Sequence, residues 1–188
     1  MQKLHLILFL LLTFSLNSFG QNTFTLKSND LGGEATSTHE FDGFGCTGEN
    51  QSPQLSWSNA PEGTKRFAIT MYDPNAPTGS GWWHWVVFDI PSNINELVAN
   101  AGNIELDLAP EGAIQSVTNY GKGGYGGPCP PENHGLHQYM ITVHALKTDK
   151  LGLDENTNPA IVGYYLWNNI LAKASIVAYY ERTKESKE

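Results

Sequence analysis

Residues 66–91 read RFAITMYDPNAPTGSGWWHWVVFDIP, two apolar runs separated by a segment rich in Pro and Gly. The runs at 66–72 and 84–90 contain many β-branched and aromatic residues, and their length is that of buried strands. The Pro and Gly residues between them favour turns, and Pro91 stops the second run. The stretch therefore predicts two buried strands, joined by a loop that carries an acid, two Trp and a His.

Short strands recur along the rest of the chain. The clearest alternation, HQYMITVHAL, lies at residues 137–146, and alternation of this kind indicates a strand with one buried face. The other candidate strands lie at residues 24–27, 54–58, 113–118 and 175–182. With 188 residues, 19 Gly and 10 Pro, the chain is expected to form a single domain with frequent turns. We predict an all-β fold with one or two short helices, an antiparallel β-sandwich.

One helix is predicted, at residues 159–174. Pro159 suits the first turn of a helix, because its missing N–H would have no partner there. The predicted stripe, broadly apolar and expected to face the core, contains Ile161, Tyr164, Tyr165, Leu166, Asn168, Leu171 and Ala172.

Residues 1–20 have the features of a signal peptide. Lys3 supplies the positive charge, 4–16 is a mostly apolar run, and small residues end the segment at Gly20. We therefore expect an exported protein, periplasmic or secreted, whose single domain is residues 21–188. The run is too short for a transmembrane helix, so no integral membrane segment is expected after removal of the signal.

Two cysteines, Cys46 and Cys129, are the only ones in the chain. In an oxidising compartment they are candidates for one disulfide. The alternative is a pair of buried free thiols. The formal net charge of −8 argues against nucleic acid as a partner, because the phosphates would be repelled.

Three ionisable residues lie at predicted strand ends. Asp73 ends one strand, and His84 and His137 begin two others. If the strands are neighbours in a sheet, the three side chains meet at one rim. Aromatic side chains would then form the walls of the pocket, and a Gly/Pro loop would form its floor. The wall residues are Trp82, Trp83, Tyr125 and Tyr139, and the loop residues are Gly126, Gly127 and Pro130.

Such a pocket suits a small oxyanion. N–H groups of histidine and amide groups of glycine bind anions well, and an acid such as Asp73 can orient a neighbouring imidazole. Two other interpretations stay open. The segment His134-x-x-His137 together with Asp73 or His84 contains metal-ligand types, and Cys129 paired with a His could serve a thiol hydrolase.

Two segments carry a family resemblance. DPNAPTGSGWWHWVVFDIP at residues 73–91 and GYGGPCPPENHGLHQY at 124–139 together resemble the phosphatidylethanolamine-binding protein family, in particular its bacterial Raf kinase inhibitor-like branch. The resemblance implies an antiparallel β-sandwich with an anion pocket at one end. It places the pocket residues at Asp73, His84, His137, Tyr139, Tyr125, Gly127 and Pro130.

The chain departs from the family pattern in three places. Asn75 stands where the family usually has a second Asp, and Gln138 stands where it usually has an Arg. The long C-terminal helix of animal members has no counterpart after Arg182, which suggests a more open pocket.

The predicted function is that of an exported, non-enzymatic binding protein for phosphate-bearing or phospholipid-headgroup-like anions, without a cofactor or bound metal. Since some family members are described as protease inhibitors, regulation of a secreted or periplasmic hydrolase through the pocket rim is an alternative. A metal-dependent or thiol hydrolase is the third interpretation. Because an exported protein would not meet cytosolic kinases, we do not expect it to inhibit them.

Overall fold

The structure is a computed structural model that describes residues 22–183. The predicted signal peptide at 1–20 lies outside the described residues. Within them the chain forms ten strands and one helix. In chain order these are β1 (Thr25–Lys27), β2 (Asp42–Gly43), β3 (Cys46–Thr47), β4 (Leu55–Ser58), β5 (Arg66–Asp73), β6 (Trp82–Pro91), β7 (Glu96–Leu97), β8 (Ile114–Gln115), β9 (His137–Leu146), α1 (Pro159–Asn169) and β10 (Ile170–Tyr180).

The central sheet has five antiparallel strands in the order β10-β9-β5-β6-β8. β5 lies between β6 and β9, so the two strands predicted from residues 66–91 are neighbours. β9 covers the residues predicted for it, 137–146, because its alternating pattern puts one face into the core and leaves the other partly exposed. This sheet brings the end of β5 next to the start of β6 and of β9.

A smaller sheet, β1-β4-β7, packs against one face of the central sheet. Leu55, Trp57 and Leu97 from the small sheet share one core cluster with Ile69 and Ile141 from the large sheet. Two sheets that bury their apolar faces against each other form a sandwich. The predicted all-β antiparallel sandwich is confirmed.

The helix α1 covers part of the opposite face of the central sheet, and it is shorter than predicted. It ends at Asn169, since the backbone at Ile170 is already extended, with φ −72° and ψ 136°. From there the chain continues directly as β10, which pairs along the whole of β9. This pairing satisfies the backbone of an otherwise open edge strand, which a longer helix could not do.

The apolar stripe predicted for α1 is wrong in most positions. The buried residues of α1 are Pro159, Val162 and Leu166, which lie three and four positions apart and face the sheet. Much of the predicted stripe is exposed instead, including Ile161, Tyr164, Tyr165 and Leu171. The outer face of α1 therefore presents aromatic side chains to the surface.

Cys46 and Cys129 form a disulfide, with a Cα–Cα distance of 6.0 Å. The bond ties β3 to the Gly/Pro loop that precedes β9. Of the two alternatives left by the sequence, the structure has the disulfide. No helix within residues 22–183 is long and apolar enough to cross a membrane.

Candidate functional site

A cavity of about 200 Å³ opens at the end of the sandwich where β5 ends and where β6 and β9 begin. Its polar lining includes Asp73, His84, His137 and Tyr139, four of the residues predicted for the site. The remaining wall is mostly apolar and comes from Phe44, Ala76, Pro77, Thr78, Trp82, Tyr120, Cys129, Pro130 and Pro131. The three strand ends predicted to meet do meet here.

Asp73 and His137 form a buried pair in this cavity. Nδ1 of His137 donates to Oδ2 of Asp73 at 2.7 Å, and both side chains are almost completely buried. Oδ1 of Asp73 accepts the backbone N–H of Asn75 at 2.7 Å. Both carboxylate oxygens therefore have a donor, and the acid holds the His137 ring in one orientation.

His134 extends this pair towards the surface. Nδ1 of His134 lies 2.8 Å from Nε2 of His137, and His134 itself is exposed. Asp73, His137 and His134 thus form a chain of hydrogen bonds. Both ring nitrogens of His137 have a partner in it, Asp73 at Nδ1 and His134 at Nε2.

His84 is held by the Gly/Pro loop. Its Nδ1 lies 2.7 Å from the carbonyl oxygen of Gly126 and 3.1 Å from that of Gly127. A carbonyl oxygen only accepts, so Nδ1 carries the hydrogen. Burial lowers the pKa of His84 to about 4, and the two carbonyl groups and Asp73 only partly oppose this effect. At neutral pH the ring is therefore uncharged and its Nε2 is an acceptor.

Two buried donors in the cavity wall have no hydrogen-bond partner within residues 22–183. These are the hydroxyl group of Tyr139 and the indole Nε1–H of Trp82. Burial, and to a lesser extent the charge of Asp73, raises the pKa of Tyr139 above its ordinary value, so the hydroxyl stays protonated. Buried donors without partners are rare in proteins, and at a cavity they indicate a position for an acceptor.

Four residues predicted for the site do not line this cavity: Trp83, Tyr125, Gly126 and Gly127. Trp83 lies on the opposite face of the central sheet, against the cluster covered by α1. Tyr125 is buried in the main core, where its hydroxyl donates to the carbonyl of His39 at 3.0 Å. Gly127 lies behind the cavity wall, and its carbonyl accepts the hydroxyl of Tyr120 at 2.7 Å.

The glycine amides do not provide the predicted anion nest. The N–H of Gly126 donates to the carbonyl of His84 at 2.9 Å, and that of Gly127 donates to Oδ1 of Asn50 at 2.8 Å. Both amides are therefore occupied by the protein itself. The two glycines are needed for space, because an added Cβ would overlap the ring of Tyr120 at Gly126 and the carbonyl of His39 at Gly127.

Sequence reasoning missed two aromatic residues of the wall. Tyr120 packs edge-on against Trp82 and His84, and Phe44 stacks on Tyr120. Phe44 belongs to a loop far from the two motifs, Tyr120 lies four positions before the second motif, and neither lies in a pattern that marks a site. Only the position of Tyr120 before the Gly-rich segment hinted at its role.

The two substituted family positions pair with each other. Oδ1 of Asn75 accepts the backbone N–H of Gln138 at 3.0 Å, which connects the loop after β5 to the start of β9. Asn75 thus keeps the acceptor that an Asp would offer there, without the charge.

The two alternative chemistries require a free thiolate or a cluster of metal ligands. Cys129 is part of the disulfide and is not a thiolate. Among residues 22–183 no group of three His, Cys, Asp or Glu side chains is arranged around a common point that could hold a metal ion.

These features define a class: a β-sandwich with a buried acid–imidazole pair in a cavity at one end. The chain belongs to the phosphatidylethanolamine-binding protein family, whose sequence model matches residues 31–181. The family predicted from the two motifs is confirmed, and the chain is a binding protein of that family.

Known relatives cover nearly the whole chain. YbcL of Escherichia coli (strain K12) is 46% identical over 178 residues, which are 94% of this chain and 97% of YbcL. YbhB of the same organism is 45% identical over 157 residues, 82% of this chain and 98% of YbhB. The crystal structure of E. coli YbcL, described as a new member of the mammalian PEBP family, is similar with a TM-score of 0.82 and 48% identity, covering 84% of this chain and 98% of that one.

Proposed function

We propose that this chain is an exported, non-enzymatic binding protein whose cavity holds small anions with a phosphate group, either phosphate esters or phospholipid headgroups. The observation that supports it most is the pair of unpartnered buried donors, Tyr139 Oη and Trp82 Nε1, in a cavity that also contains two imidazoles. An oxyanion would give both donors an acceptor, and hydrogen bonds to charged acceptors are the stronger ones.

The tautomer of His84 selects among oxyanions. Its Nδ1–H is used by Gly126, so Nε2 offers a lone pair to the ligand. A phosphate ester that keeps one proton can donate its P–OH to Nε2 and accept from Tyr139 at the same time. A fully deprotonated anion has nothing to donate and would leave the lone pair facing a negative charge. The site is therefore expected to prefer the singly charged form of a phosphate ester.

Asp73 acts as a positioning residue. Oδ1 accepts a hydrogen bond from Asn75 and Oδ2 accepts one from His137, and these two donors partly offset the negative charge of the carboxylate. Its contact with His137 keeps that ring in place beside Tyr139, with ring centroids 6.4 Å apart.

The wall of the cavity suits the organic part of a headgroup. Pro77, Pro130 and Phe44 contribute apolar surface around the polar floor, and Phe44 is 73% exposed. A volume of about 200 Å³ holds a phosphate group and a short alkyl substituent but not lipid chains, which would remain outside.

The non-enzymatic part of the proposal is supported by the state of the hydroxyl and thiol groups. The hydroxyl of Thr78 donates to the carbonyl of Gly81 at 2.6 Å, and Cys129 is in the disulfide. A screen for esterase and phosphatase activity tests this part. Turnover that disappears in His137→Ala would contradict it.

The binding test compares three ligands. Phosphorylethanolamine, inorganic phosphate and sulfate are titrated into the ¹⁵N-labelled protein at pH 5 to 8, while the indole signal of Trp82 is followed. We expect saturable shifts with the two phosphates, and affinity for phosphorylethanolamine should fall as the pH rises through its second pKa of about 6. Sulfate has the same shape but no proton to donate in this range, so it should bind more weakly.

Tyr139→Phe removes only the hydroxyl group. It should lower phosphate affinity about tenfold or more, since it deletes one hydrogen bond to a charged ligand. Tyr179→Phe, an exposed position on β10, is the matched control and should bind normally. Absence of any shift at millimolar phosphate would overturn the pocket assignment, whereas equal binding of sulfate would overturn the role of His84.

One observation favours a second candidate function, regulation of an exported hydrolase through the rim. Phe44 is exposed beside the cavity that it lines, where its ring stacks on Tyr120 and is tilted against the ring of Phe41. Exposed aromatic residues are frequent anchors of protein interfaces. Inhibition of an exported hydrolase that is lost in Phe44→Ser, while phosphate binding persists, would support this function.

A further inference from the structure

A second cavity, of about 440 Å³, lies on the other face of the central sheet, between α1 and the start of β10. We call it the α1 groove and define it by Trp83, His144, Gly163, Trp167, Leu171 and Lys173. It is separate from the cavity with Asp73, because Trp82 and Trp83 are consecutive residues of β6 and line different cavities.

The groove is open because of a glycine inside a helix. Gly163 is in the interior of α1, where glycine is less favourable for helix stability than alanine. Packing does not require it: a Cβ at this position would meet only Cη2 of Trp83, at 4.0 Å. The missing side chain instead leaves space between α1 and the ring of Trp83.

The walls of the groove are large apolar side chains at the surface. Trp167 is 74% exposed and Leu171 is 41% exposed, and both face the same groove as Trp83. Indole rings and leucine side chains that border a concave surface bind the apolar part of a ligand.

One end of the groove is polar and has unused hydrogen-bonding capacity. Nδ1 of His144 is buried and has no partner within the described part of the chain, while Nε2 lies 3.1 Å from Oγ1 of Thr70. The Thr70 hydroxyl can donate to Nε2, which leaves Nδ1–H as a free donor. Burial and the nearby Lys173 lower the pKa of His144 to about 4, so the ring is neutral at pH 7.

Lys173 adds one positive charge at the same end. It lies directly opposite His144 in the pairing of β9 with β10, and it forms no ion pair with a carboxylate of residues 22–183. A single ammonium group next to a single N–H donor matches one carboxylate. A doubly charged phosphate ester would leave one of its two charges without a cation at this end of the groove, where Lys173 is the cation of the lining.

We infer that the α1 groove is a second binding site, for a free medium-chain monocarboxylate of the fatty-acid type. The carboxylate accepts from Lys173 and from Nδ1–H of His144, and the alkyl chain lies against Trp83, Trp167 and Leu171. This site does not depend on the proposed anion pocket, and either one can be wrong without the other.

Decanoate is the probe, used below its micellar concentration on the ¹⁵N-labelled protein. The indole signals of Trp83 and Trp167 should shift saturably, and that of Trp82 should not. Decyltrimethylammonium has the same alkyl chain and the opposite charge, so it should bind at least tenfold more weakly. Equal binding of the two compounds, or shifts centred on Trp82, would overturn the assignment.

Two variants test the apolar end and the polar end of the groove separately. Gly163→Leu fills the groove with a residue that favours helix, and it should abolish decanoate binding. Lys173→Gln, at an exposed position that does not threaten the fold, should weaken binding about tenfold, whereas Lys27→Gln on β1 should have no effect. Unchanged affinity for decanoate in Lys173→Gln would overturn the proposal. It would also be overturned if the ligand-free protein formed a dimer and the indole signals of Trp83 and Trp167 shifted on dimerisation.

Discussion

Oδ2 of Asp73 accepts a hydrogen bond of 2.7 Å from Nδ1 of His137, although 64 positions separate the two residues in the chain. The contact forms because β5 and β9 are antiparallel neighbours, with Tyr72 opposite Met140 in the ladder, so the end of one strand meets the start of the other. Asn75 strengthens the connection, since it donates to Asp73 and accepts from the backbone of Gln138. Asp73 therefore connects β5 to β9 as well as lining the pocket.

Asp73→Asn tests whether this acid positions His137 or only repels anions. The amide keeps the size of the side chain but loses the charge and one acceptor, so one hydrogen bond to Asn75 or His137 weakens. We expect the free energy of unfolding to fall by about 1.5–3 kcal/mol, and phosphate affinity to fall as well. Urea denaturation and phosphate titration measure the two effects.

The control for this substitution is Asp42→Asn, at an exposed position on β2. It should change neither quantity. A rise in phosphate affinity in Asp73→Asn would show that the carboxylate mainly repels the ligand, and this would contradict the positioning role.

Two buried histidines make the fold sensitive to acid. Burial lowers the pKa of His84 and of His144 from 6.5 to about 4 in the folded protein. Between these values the unfolded chain binds more protons than the folded one, so stability falls as the pH is lowered from 6.5 towards 4. Each residue contributes a slope of about 1.4 kcal/mol per pH unit within that window. Urea unfolding at pH 7, 6, 5 and 4 measures the total slope.

His144→Gln isolates one of these contributions. Glutamine can still bond to Thr70 but does not titrate, so the variant should lose about one proton from the pH dependence of unfolding. If wild type and His144→Gln show the same slope between pH 6 and 4.5, His144 does not stay neutral in the folded state.

The strands and three polar residues of the site could be predicted from local patterns in the sequence. β9 alternates with period two, and β5 and β6 are β-branched and aromatic runs with Pro and Gly at their ends. Such patterns report local backbone preference and burial, so they are visible in the sequence. Placing Asp73, His84 and His137 together then required only that the strands be neighbours.

The errors concern features that depend on distant contacts. Trp83 is the exception, because period-two alternation along β6 already puts it on the face opposite Trp82 and His84. The amides of Gly126 and Gly127 are used by His84 and Asn50, and the end of α1 is decided by the pairing of β10 with β9. None of these partners is near in sequence.

The disulfide should stabilise both the fold and the wall of the cavity. It joins residues 83 positions apart, and the loop-entropy model gives about 4–5 kcal/mol for a loop of this length. Cys129 also lines the cavity beside Pro130. Reduction should therefore lower the free energy of unfolding by several kcal/mol and weaken phosphate binding. Urea denaturation with and without a phosphine reductant measures the first effect.

The double variant Cys46→Ser/Cys129→Ser serves as the reference for the reduced protein. It should be as unstable as the reduced wild type and should not respond to the reductant. A wild type whose unfolding midpoint is the same with and without reductant would show that the bond adds no stability.

Gly127→Ala should be far more damaging than an ordinary glycine substitution. Gly127 does not have a left-handed φ, so the backbone itself accepts alanine, but the new Cβ would overlap the carbonyl oxygen of His39 and lie 2.8 Å from the backbone N of Phe41. Backbone atoms cannot rotate away as a side chain can, and forced overpacking costs about 1–3 kcal/mol or more. Phe41 also donates to the carbonyl of Pro128 at 3.0 Å, so any shift would disturb the loop that holds His84.

Gly32→Ala, where a Cβ meets nothing within 4 Å, should stay within about 0.5 kcal/mol of wild type. Equal urea midpoints for the two variants would mean that the loop moves to accommodate the new methyl group at little cost. In that case the carbonyl groups of Gly126 and Gly127 would not be rigid enough to fix the tautomer of His84.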